Sequence, residues 1–267
     1  MDWGQKFMNT DILLNKHLLA AIVTSAFIGG VAGYIGSLMV TKRMALMGGA
    51  LGHLTLPGIA LALAYGFDVS IGALLFLIFG ITIIWIIEKQ TKLPTESVTA
   101  TVFATSLAIA LLFLKHEEID IALIGDISKI TVLVTIATIL LSLFVFFIIR
   151  KILPDIILAT ISKDLATVRG INVPLMQFIY LACIALVVAM GVRIVGGLMT
   201  AALVAIPACT SKNISENLNQ YTILSLIIGA TSCVLGVISS YFTALAAGPM
   251  IIIFSALFFV VSLFFKQ

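Results

Sequence analysis

Long apolar runs fill this chain, separated by brief polar intervals that often carry glycine or proline. A helix needs about 20 mostly apolar residues to cross a bilayer. On that measure the pattern predicts spans at 18–40, 44–66, 69–88, 97–114, 129–150, 173–192, 194–211, 221–243 and 247–265. The predicted fold class is all-α, a polytopic transmembrane helix bundle of about eight or nine spans. It is expected to form one transmembrane domain over residues 1–267, which includes a short N-terminal segment, 1–17. The boundaries at 192–196 and 243–247 are short, so neighbouring spans there are the least separated.

Composition agrees with the pattern. Of 267 residues, 61% are hydrophobic and 10% charged, and the mean hydropathy is +1.24. A soluble domain carries about a quarter charged residues. The polar residues here are too few to cover an outer surface, so lipid must solvate most of it. The N-terminus does not read as a cleavable signal, because Asp2, Lys6, Asp11, Asn15 and Lys16 interrupt it and no small-residue cleavage site follows the first long apolar run.

Basic residues set an orientation. Lys42 and Arg43 follow the first predicted span, Lys89 and Lys92 the third, and Arg150, Lys151, Lys163 and Arg169 lie in the interval 150–172. All fall on one side, which is therefore expected to be cytoplasmic. Lys6 and Lys16 run against the rule. The basic residues are spread over short loops, and no clustered basic face for nucleic acid is present in the sequence. Cys183, Cys209 and Cys233 lie inside apolar stretches without disulfide-framework or zinc-site spacing, and read as small buried hydrophobes.

Three segments stand out. In Arg43–Ala60, His53 falls midway along the predicted span 44–66. An ionisable group there is costly and marks a functional-site candidate. Neutral imidazole suits zinc and other first-row metals, but a purely structural histidine, hydrogen-bonded between helices, remains the alternative. Gly48, Gly49 and Gly52 precede it, and Pro57 and Gly58 follow. Pro57 lacks a backbone donor and is expected to kink the helix, turning carbonyls towards a cavity. In Ser162–Val173, Ser162 suits an N-cap and Gly170 a stop. The helix between them is too short to cross a membrane; it could dock on a soluble partner or lie on the lipid surface. In Val192–Thr210, Pro207 is expected to kink an apolar helix.

Small residues recur at four-residue spacing, as in Gly29 and Gly33, Gly48 and Gly52, and Gly197, Ala201 and Ala205, which permits close helix packing. The acidic loop holds His116, Glu117, Glu118, Asp120 and Asp126. It could contact a metal ion or a partner, and a solvated partner-contacting loop is the plainer reading. The sequence contains no GxxxxGK[ST] phosphate loop, no HExxH and no GxSxG. The chain is accordingly not expected to be an enzyme, nor to bind ATP by that route.

Together these segments resemble the membrane permease subunit of bacterial ATP-binding-cassette (ABC) importers for zinc, manganese or iron. The likeness runs from about residue 15 to 265. Arg43–Ala60 is similar to the family's signature, in which a basic pair leads into Met-Ala-Leu, Gly-Asp-Ala-Leu-Ser-His and Leu-Pro-Gly. Asp164-Leu-Ala to Gly170-Ile-Asn-Val173 resembles its cytoplasmic coupling region, within 152–172. Val195-Gly196 to Pro207-Ala208 and Gly248-Pro249 resemble two later stretches.

The resemblance implies a multi-pass permease in the bacterial plasma membrane, paired with a second copy of itself. A cytoplasmic ATP-binding subunit would dock near Asp164, Ala166 and Gly170, and an extracytoplasmic metal-binding protein would deliver the ion. No permanent cofactor is implied; the divalent metal ion is cargo, touched by His53. Gly49, Pro57, Gly58 and Pro207 would kink or line the pathway. The sequence departs from the family at Gly49, where an aspartate is usual, and at Gly52, where a serine is usual. Imidazole without a carboxylate one turn away tilts the expectation to zinc over manganese or iron. Permeases for metal chelates such as siderophores or cobalamin, and ATP-independent metal carriers, are the competing readings.

Overall fold

The computed structural model describes residues 16–42, 44–91, 93–113, 131–197 and 199–265. Among them the order is α1 (Lys16–Thr41), α2 (Ala45–Leu54), α3 (Leu56–Tyr65), α4 (Val69–Thr91), α5 (Thr95–Phe113), α6 (Val132–Ile161), α7 (Lys163–Val168), α8 (Val173–Val195), α9 (Thr200–Ile214), α10 (Leu218–Thr243) and α11 (Ala247–Leu263). The described residues are all-helical apart from short connections.

Helix ends follow local chemistry. Asn172 and Asn217 cap α8 and α10, their side chains accepting the amides of Leu175 (3.2 Å) and Gln220 (2.9 Å). Ser162 accepts the Leu165 amide at 3.3 Å and starts α7. That helix ends as the sequence suggests. Gly170 takes φ +78°, its amide donates to the Thr167 carbonyl at 2.9 Å, and the Ile171 amide reaches back to Ala166 at 3.1 Å. This pair of bonds is a Schellman stop.

The core is built around α1. It packs against α10, α9, α6, α8 and α2, and 72% of its most apolar stretch is buried, against 28% for α6. The α1–α10 seam brings backbones together. A methyl on Gly33 would strike the Ser225 carbonyl, and one on Gly29 would strike Cys233 Sγ and the Gly229 carbonyl. Ser225 Oγ donates to the Gly33 carbonyl at 2.6 Å. Small-residue rows of this kind let helices approach where lipid supplies no hydrophobic drive for association. A second backbone contact joins α3 to α4, where Gly58 and Gly72 each face the other's carbonyl.

Several boundaries differ from expectation. Five of the described helices are long and apolar enough to cross alone: α1, α4, α6, α8 and α10. The count of eight or nine is therefore not carried by helices of crossing length. The predicted span 44–66 is two helices, α2 and α3, meeting at Thr55. The interval 150–172, read as a long loop from its charges, is helical through Ile161. Although Pro154 lies inside it, α6 continues because Ile156 and Ala159 are buried against neighbours. Its 30 residues extend about 45 Å, longer than the hydrocarbon core of about 30 Å. The predicted span 194–211 begins later, at Thr200, because Gly196 adopts φ +84° and ends α8. At 15 residues, α9 reaches about 22 Å, short of a full crossing.

Candidate metal pathway at the α2–α3 break

His53 lies in the last turn of α2 and is half-buried. Thr55 both closes α2 and opens α3, keeping a right-handed helical conformation. The cause lies two residues on. Pro57 has no N–H for the His53 carbonyl, which would be its partner in an unbroken α-helix. The ladder therefore fails ahead of the proline, and Pro57 sits in the first turn of α3, where a missing donor costs little. The Gly52 carbonyl accepts instead from the Thr55 hydroxyl (2.5 Å) and the Thr55 amide (3.3 Å). The interruption thus falls at Thr55, two residues ahead of Pro57.

The imidazole faces α5. Its ring centroid is 5.1 Å from that of Phe103, tilted by 40°. Thr99, Phe103 and Ser106 recur at i, i+4 and i+7, one face of α5. Thr99 and Ser106 are buried. Nδ1 of His53 and Oγ of Ser106 are both buried without a hydrogen-bond partner. A buried polar atom left unpaired is expensive, which makes such a group a candidate for a ligand. It is also the opposite of the structural histidine, which would be bonded between helices. No group of three or more His, Cys, Asp and Glu side chains able to hold a metal occurs among the described residues. Among the described residues, an ion at His53 would meet no such cluster.

A second interruption meets the first. The turn Gly196–Gly197 and the start of α9 press on α2. A methyl at Gly52 would strike the Gly197 carbonyl and Thr200 Oγ1. Thr200, 1% exposed, donates to the Gly197 carbonyl at 2.8 Å. Gly52 thus serves close packing beside His53, which the larger serine side chain would obstruct.

The other expected site residues separate into groups. Gly49 lies on α2 one turn before His53, and Gly58 abuts Gly72 on α4. Pro207 is buried inside a continuous α9, so it does not break that helix. Asp164 is exposed on α7, and Gly170 forms its stop with open space around it. Ala166 is 0% exposed and packed inward, which holds α7 to the bundle. The outward apolar residues of α7 are Leu165 and Val168, 57% and 86% exposed. His116, Glu117 and Glu118 lie outside the described residues. The sequence reading passed over Thr55, Phe103, Ser106 and Thr200. A signal existed in the Thr-Leu-Pro-Gly run, and in hydroxyls at helical spacing within the apolar 97–114 stretch.

A bundle of apolar helices with an interrupted span and a short helix between two long ones fits the organisation of a membrane permease. The chain belongs to the ABC 3 transport family, whose model matches residues 15–266. It is 26% identical over 252 residues to the manganese transport system membrane protein MntC of Listeria monocytogenes, covering 92% of this chain and 90% of that protein. It is 29% identical over 261 residues to the high-affinity zinc uptake system membrane protein ZnuB of Haemophilus influenzae, covering 94% and 98%. Among solved structures it resembles PsaBC from Streptococcus pneumoniae in complex with Fab, with a TM-score of 0.83 and 25% identity over 98% of this chain and 96% of that one.

Proposed function

We propose that this chain is the membrane subunit of an ATP-driven importer of divalent transition-metal ions in a bacterial plasma membrane, with zinc favoured over manganese or iron. The carrying observation is His53 Nδ1, buried without a partner beside the α2–α3 break. A lone imidazole in place of an imidazole–carboxylate pair favours zinc over manganese, which prefers oxygen donors. A small donor set also fits a pathway, which must release what it binds. Relatives named for manganese and for zinc support the substrate class.

Two copies would enclose the route, and an extracytoplasmic metal-binding protein would load it. A cytoplasmic ATP-binding subunit would seat on α7 through Leu165 and Val168, with Asp164 and the Gly170 stop at its ends. Ala166 anchors that helix from below. The test is metal uptake into proteoliposomes holding this chain, its ATPase and its binding protein, with zinc, manganese and iron(II) compared with and without ATP. ATP-dependent accumulation led by zinc is expected. Uptake without ATP, or none from an assembled complex, would overturn the reading.

A further inference from the structure

One end of the bundle gathers the C-terminus of α1, the end of α4, the start of α5, the end of α6, α7 and the start of α8 around a cleft of ≈ 730 Å³. Charged side chains of both signs line it: Lys42, Glu88, Lys89, Glu96 and Lys163. Lys42 is the member that ties helices together. Its Nζ donates to Gln177 Oε1 on α8 at 2.6 Å and stands 4.7 Å above the ring of Tyr180, one turn further along. Tyr180 is fully buried. The neighbouring α4–α8 contact is braced separately, by Trp85 Nε1 donating to the Pro174 carbonyl at 3.2 Å with Lys89 over the indole at 5.3 Å.

We propose that Lys42 is the positioning residue through which the location of α7 is read by the α1–α8 seam. The inference rests on the permease reading above. Lys163, the first residue of α7, shares the cleft with Lys42, and its charge repels the Lys42 ammonium while Glu88 on α4 attracts it. Moving α7 outward weakens the repulsion and tightens the Lys42–Gln177 bond; moving it inward does the reverse. A charge-assisted bond of this kind is worth about a tenfold or larger change in the equilibrium it controls. Burial, the largest influence, pushes the Lys42 ammonium down to about 8; Glu88 opposes it, and the Lys163 charge adds a smaller downward push. By linkage, a change in Lys163 position must change proton binding at Lys42, and the converse. Among the described residues, the other titratable or polar groups on the packed elements include Trp85 and Lys89 on α4, Glu96 on α5, Thr160 on α6, Thr167 on α7, and Gln177 and Tyr180 on α8.

The test uses the reconstituted complex with its ATPase and binding protein, reading metal transported per ATP hydrolysed. Lys42→Met and Gln177→Leu should each lower that ratio by about tenfold, while the exchange Lys42→Gln with Gln177→Lys restores it by rebuilding the bond with its ends reversed. Wild type should lose coupling as pH rises through about 8, and Lys42→Arg, which stays charged, should not. An unchanged ratio in both single variants, with wild type transporting normally, would overturn the proposal alone. Absence of ATP-dependent uptake by wild type would instead overturn the permease reading. Should Lys42→Met fail to assemble, Gln177→Leu and the Lys42→Arg pH profile decide.

Discussion

The α1–α10 seam and the α2–α3 break are built from the same small residues and put them to opposite uses. At the seam, Gly29 and Gly33 bring two long helices backbone to backbone, and Ser225 spends its hydroxyl on the Gly33 carbonyl. At the break, Gly52 and Pro57 shorten and interrupt a helix, and the histidine between them keeps an unpaired ring nitrogen. In the first region the hydroxyl and the carbonyl at the crossing satisfy each other. The second leaves an unmet need that a passing ion could fill. In a bundle solvated by lipid, such a deficit is a better guide to function than a conserved-looking stripe of glycines.

Substitutions can break that contrast. The largest effect is expected at the seam, where Gly33→Ala places a methyl against a backbone carbonyl that has no rotamer to change. It should cost about 3 kcal/mol, seen as a lowered melting temperature or loss of monodisperse protein in detergent. His53→Ala should leave melting nearly unchanged and reduce metal uptake by about tenfold or more; normal uptake at every metal concentration would return the histidine to a structural role. Pro57→Ala restores a donor for the His53 carbonyl and favours an unbroken helix. Melting should hold or rise while uptake falls several-fold. Thr55→Val keeps shape and removes the bond to Gly52, costing about 1 kcal/mol with a small loss of transport. The mildest test is pH. Lys42 titrates in the folded chain at about 8, below its ordinary 10.5. Between those values the unfolded chain binds more protons, so stability should climb as pH rises from 8 towards 10.5, and Lys42→Met should flatten that climb.

Much of this architecture could be read in the residues. Apolar run length located α1, α4, α8, α10 and α11 within a few residues, since lipid leaves few alternatives to a hydrogen-bonded helix. The Ser162 cap and Gly170 stop of α7 were legible because each acts on its own backbone. Arg150 and Lys151 misled, because charge marks where a helix leaves lipid and not where it ends. α9 runs unbroken through the buried Pro207, so a proline does not by itself mark a helix end in this bundle. At the site, His53 and the interruption were visible, whereas its α5 neighbours Phe103 and Ser106 were not. That pairing depends on how two helices cross, which no local pattern in either helix encodes.

The contact of Gly58 with Gly72 has a mechanical consequence. Interlocked side chains resist twisting as well as separation, since each must climb out of its groove. Where two bare backbones meet, there is no side chain to give way, so Gly58 and Gly72 set how near α3 can lie to α4. A methyl on either would push the half-span beyond His53 off the wall that α4 provides.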